Sequence, residues 1–139
     1  MLQRKQTIWL LLAALCALLT FKYPFFSGNK PGADNSKQFQ HLTATTSMLV
    51  LILTVVLVSS VAIVIFLYKN RKLQMRLILA DILLSLLIIY MYFRETQKFI
   101  EGNYAVTSIL ALAIPVFLIL ALMGVYRDQK LVKSLDRLR

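Results

Sequence analysis

The stretch RLILADILLSLLIIYMYF, Arg76 to Phe93, decides how this chain folds. It is apolar enough, and with the residues just before it long enough, to cross a hydrocarbon core of roughly 30 Å as a helix. It also carries a carboxylate, Asp81, inside the run. Its β-branched residues do not argue for a strand, because a lone strand would leave backbone groups unpaired in lipid.

Working outward, three further apolar runs appear. TIWLLLAALCALLTF begins at Thr7, SMLVLILTVVLVSSVAIVIFLY fills 47–68, and a last run covers about 104–126. The first is short for a span, but Lys22 can snorkel, and Tyr23, Phe25 and Phe26 suit the interface. The expected fold is an all-α integral membrane protein. Its four helices, at about 7–26, 47–68, 73–93 and 104–126, form a domain over 1–126. The 139 residues are 59% hydrophobic and the mean hydropathy is +0.72. A soluble domain runs at roughly 45–50% apolar, so that class is set aside. The Arg4–Lys5 pair before an apolar run also fits a signal peptide, but no small-x-small cleavage site follows, and retention is expected.

The chain holds 16 Lys and Arg against 6 Asp and Glu, a net +10. The cations flank apolar runs, which points to topology control and to anionic headgroups as partners, not to nucleic acid. They concentrate at the N-terminus (Arg4, Lys5), in the link Lys69, Arg71, Lys72, Arg76, and in the tail from Arg127. The positive-inside rule then puts both termini in the cytoplasm. Trp9, Tyr68 and Tyr126 mark the inner interface, and Tyr23, Tyr92 and Tyr104 the outer one. The 27–46 loop, periplasmic on this reading and punctuated by Gly28, Pro31 and Gly32, reads as an irregular cap.

Asp81 lies about 12 Å along its helix from Leu73. Ser60 sits at similar depth on the preceding helix, so Ser59 or Ser60 is the natural neighbour. Asp81, Ser85 and Tyr92 share one face. One reading makes Asp81 a proton or cation site, since intramembrane carboxylates are expensive and often functional. The other makes it an interhelical hydrogen-bonding group, or a partner for Arg76. The second is preferred, because no second acid, histidine or unwound Gly/Pro helix accompanies it. Pro115 is expected to bend the last helix.

The tail over 127–139 reads as a short basic amphipathic helix. Leu131, Val132, Leu135 and Leu138 form an apolar arc, with Lys130, Lys133 and Arg137 on the other side. It suits docking on the cytoplasmic leaflet or on another membrane-protein subunit.

Cys16 is the only cysteine and His41 the only histidine, too few for a His/Cys zinc site. No H-E-x-x-H, G-x-S-x-G or P-loop occurs, and the spans hold no paired carboxylates. The expectation is a non-enzymatic protein without cofactor. The first functional reading is an accessory or stabilising subunit of a larger membrane complex. The alternative is a small transporter or proton-coupled component that uses Asp81 as a homo-oligomer.

The two ends, Gln3-Arg4 with Gln6-Thr7 and the run Lys130 to Leu138, resemble a family of small four-span membrane proteins of Bacteroidota, a domain of unknown function (DUF4293). The likeness covers the whole chain and departs from the family pattern at Lys5. It implies an inner-membrane location in a diderm bacterium and brings no activity with it.

Overall fold

A computed structural model describes residues 2–32, 36–67 and 70–136, with the side chains of 2–5, 133, 135 and 136 left aside. The elements in chain order are α1 (Leu2–Leu19), β1 (Phe26–Pro31), β2 (Lys37–Leu42), α2 (Met48–Phe66), α3 (Arg71–Thr96), β3 (Glu101–Tyr104) and α4 (Ser108–Asp136). The helices α2, α3 and α4 are each long and apolar enough to cross a membrane, and α1 is a shorter apolar helix. The chain is a multi-pass helical membrane protein.

Helix α1 packs chiefly on α4, while α3 packs on both α4 and α2. Small residues permit the α1–α4 approach. Ala13 and Ala17, one turn apart, are fully buried, as is Ala121. A Cβ on Gly124 would come within 2.8 Å of the Gln6 side chain. Close backbone approach through small residues is the usual route to helix association in lipid, where no hydrophobic drive separates helix from tail. The centre is filled by Leu57, Val61, Ile78 and Leu118. Trp9 stacks on Phe117, with ring centroids 5.9 Å apart. The α4 helix runs unbroken through the buried Pro115.

The connection expected to be irregular is a β-hairpin instead. β1 pairs antiparallel with β2 on one side and with β3 on the other, in the order β2-β1-β3. The fold is therefore mostly, not wholly, helical. The sheet exists because two connections meet. β3 comes from the α3–α4 link, so each strand satisfies backbone groups that a lone loop would leave to water. Gly28 faces Gly102 across the β1–β3 pair, and a Cβ on either glycine would come within 2.8 Å of the other's Cα. Backbone bonds anchor the sheet beside the end of α1, with Ala44 after β2 donating to the Thr20 carbonyl at 3.1 Å, while Phe25 donating to that of Leu42 at 2.7 Å extends the β1–β2 pairing.

Candidate functional site

Helix α3 buries one face made of Gln74, Ile78, Asp81, Ser85, Ile88 and Tyr92. The spacing is three and four residues throughout, so the polar groups lie on the stripe that packs inward. Asp81 is 2% exposed. Ser60, half-buried on α2, is the side chain that interacts with its carboxyl. Its Oδ2 has no hydrogen-bond partner among the described residues.

Ser85 and Tyr92 share the buried stripe with Asp81 as expected, but of the expected neighbours only Ser60 meets its carboxyl. Ser59 faces outward and donates to the Val55 carbonyl at 2.8 Å. One residue advances a helix by about 100°, which separates Ser59 from its neighbour Ser60. Ser85 is buried but donates back to the Ile82 carbonyl at 2.7 Å. Arg76 lies on the outward face and makes no ion pair with Asp81 among the described residues. Tyr92, expected in the outer aromatic belt, is 1% exposed and stacks on Phe25 with centroids 4.6 Å apart. Phe25 and Phe26 are buried as well, because the sheet closes over them.

A second polar layer, which the sequence reading missed, ties the basic end together. Gln6 on α1 donates from its amide to Asp128 Oδ2 on α4, and both residues are buried. Arg71 at the start of α3 donates to the Asp128 backbone carbonyl at 3.2 Å. Gln74 donates to the Val64 carbonyl of α2 at 3.3 Å. All four helices thus meet in one hydrogen-bonded layer, and Asp128 Oδ1 remains without a partner. The available signal was the position of Gln6 and Asp128: polar residues at opposite chain ends, each at the same margin of an apolar helix.

The tail is not a separate helix. α4 continues without interruption to Asp136, carrying Leu131 at 51% and Val132 at 42% exposure. Lys130 is exposed. Leu138 and Arg137 lie outside the described residues, as do the side chains of Lys133 and Leu135. Among the described residues no three His, Cys, Asp or Glu side chains gather where they could hold a metal ion.

Fold and polar contacts together define a small helical membrane bundle capped at one end by a sheet and bonded across all four helices at the other. The chain belongs to the family described as Domain of unknown function (DUF4293), whose model matches residues 2–138. No curated protein and no solved structure matches it.

Proposed function

We infer that this chain is a non-enzymatic accessory or stabilising subunit of a larger complex in a bacterial inner membrane, with four crossings and both termini cytoplasmic. Protein export or envelope biogenesis is the kind of assembly that such a subunit suits. The observation that carries the reading is the length of α4. Its 29 residues reach about 43 Å at 1.5 Å per residue, against roughly 30 Å of hydrocarbon. The final turns therefore project past the membrane core, and they carry Leu131 and Val132 outward. Apolar side chains on a projecting helix need a surface to cover them, and a neighbouring subunit supplies one. Two polar side chains of the interior tie helices together, Gln6 on Asp128 and Gln74 on the Val64 carbonyl, while Ser85 bonds back to its own helix.

Extraction in mild detergent tests this. Other membrane proteins should co-purify in fixed stoichiometry. Replacing Leu131 and Val132 with Ser should release them while the bundle stays folded. Recovery of a self-oligomer alone overturns the reading. It would favour a small transporter or proton-coupled component, for which the unpartnered Asp81 Oδ2 is the supporting observation.

A further inference from the structure

A groove of about 790 Å³ runs between α3 and α4 at the basic end of the bundle. Its two walls carry the same gradient. On α3, Lys72 and Arg76 come first and Leu79 lies deeper; on α4, which runs the opposite way, Lys130 and Arg127 come last and Leu122 lies deeper. The α3 residues are spaced three and four apart, so they form one stripe about 10 Å long. Met75 and Met123 line the groove as well, and Tyr126 stands where cationic wall turns into apolar wall. The lining holds four cations and no acid. The ion pairs among the described residues, Lys37–Glu101 and Lys98–Glu95, are both at the opposite end.

We propose that this groove is a binding site for one anionic glycerophospholipid of the surrounding membrane. Its phosphate lies among Lys72, Arg76, Arg127 and Lys130, and its acyl chain lies along Leu79 and Leu122. Two features argue for a lipid over an acidic peptide. The apolar half opens sideways within the stretches of α3 and α4 that suit a membrane crossing, where a peptide would have to shed its backbone hydration. The cationic half adjoins it directly, which matches an amphiphile with charge at one end only. Four cations with no ion pair among the described residues are held along one groove and repel each other, and a phosphate relieves that repulsion while accepting hydrogen bonds from either guanidinium. Flexible Met side chains suit an acyl chain of variable shape. Basic pockets between transmembrane helices are a known form of lipid headgroup site. The proposal is independent of whether the chain is a subunit of something larger.

The test is lipid binding by the intact chain. Delipidated protein in detergent is titrated with phosphatidylglycerol, with phosphatidylcholine and with inorganic phosphate, using native mass spectrometry. Phosphatidylglycerol should bind at least about tenfold more tightly than phosphatidylcholine, by the contribution expected of a few cations at an anionic surface. Free phosphate should fail to compete. The double variant Lys72→Gln/Arg76→Gln should weaken phosphatidylglycerol binding roughly 25-fold, about fivefold for each cation removed. Lys37→Gln/Lys98→Gln removes the same charge at the other end and should change little. Equal binding of both lipids, or equal loss in both double variants, overturns the proposal. A photoactivatable phosphatidylglycerol applied to the unaltered chain makes the test independent of variant folding. Label should concentrate at 72–79 and 122–130; label spread evenly round the helices overturns the site. Displacement of the lipid by an acidic peptide at equal concentration would assign the groove to a protein partner instead.

Discussion

At the sheet end, Phe25 stacks on Tyr92, meets Phe93 edge-on at 5.8 Å and Tyr104 at 6.0 Å, while Phe26 meets Phe99 at 5.2 Å. At the basic end, the contacts between helices run through Gln6, Asp128, Arg71 and Gln74. One end is a packed aromatic cluster under a lid of backbone hydrogen bonds. The other is a layer of long polar side chains reaching across helices. The difference follows from what each end must join. Two connecting segments meet at the sheet end, so strands can pair and rings can be enclosed. At the basic end a helix start, a tight turn and a projecting helix converge, and no strand is available. Side chains there must satisfy one another.

The largest expected effect tests the aromatic end. Tyr92→Ala removes a fully buried ring at the point where α3 meets the sheet. Losses of large buried side chains cost about 3–5 kcal/mol in well-packed cores. We expect a loss near the lower figure, because lipid chains replace part of the packing that water would not. Tyr92→Phe should cost far less, since it keeps the ring and gives up only the hydroxyl's interaction with Thr20. Reversible unfolding in mixed detergent measures both. If Tyr92→Ala is no worse than Tyr92→Phe, the cluster does not hold this end.

How much of this was legible beforehand follows the physics of each signal. The long apolar helices were readable because bilayer thickness sets a minimum run, and α2, α3 and α4 meet it. The inward stripe of α3 was readable from Asp81, Ser85 and Tyr92 at helical spacing. The sheet was not. β3 is only Glu101–Tyr104, and it pairs with Phe26–Asn29 from a distant segment. Such pairing has no local periodicity to betray it. Gly28 read as turn punctuation, whereas its use is close strand approach to Gly102. The choice between Ser59 and Ser60 depended on helix rotation, which depth alone does not fix. The Gln6–Asp128 contact joins residues 122 apart in sequence, and nothing local links them.

The polar layer at the basic end should give a middle-sized effect. Asp128→Ala deletes the acceptor for the Gln6 amide and leaves a buried donor unsatisfied, which costs roughly 1–3 kcal/mol. Asp128→Asn keeps an acceptor oxygen and should recover most of the loss. Arg71 should be insensitive to either change, since it bonds the backbone carbonyl of residue 128. Unfolding of the two variants, compared with a Gln6→Ala/Asp128→Ala double variant, checks this. The double variant should be less than additive, because the two side chains share one bond. Full additivity would mean that the layer is not a coupled unit, and the contrast between the ends would reduce to one of packing alone.

The smallest expected effect belongs to Asp81, which lies between the two ends and to neither kind. It is buried like Tyr92 and polar like Asp128, yet its carboxyl meets the hydroxyl of Ser60 while Oδ2 has no hydrogen-bond partner among the described residues. If its role is to tie α3 to α2, the relevant scale is that of interhelical hydrogen bonds in membranes, which average about 0.6 kcal/mol. Asp81→Leu should then lose about that much stability. Asp81→Asn retains an acceptor for Ser60 and should fall between Leu and the unaltered chain. Neither should reduce abundance in the membrane, and both should support growth wherever the unaltered chain is required. Stability measured by unfolding and function measured by complementation must therefore move together for all three side chains. The informative failure is a split. An Asn variant with normal abundance and normal unfolding but no function could not have lost a structural bond. It would have lost the ability to gain and release a proton, and a bare buried carboxyl oxygen would then be the place where that proton goes.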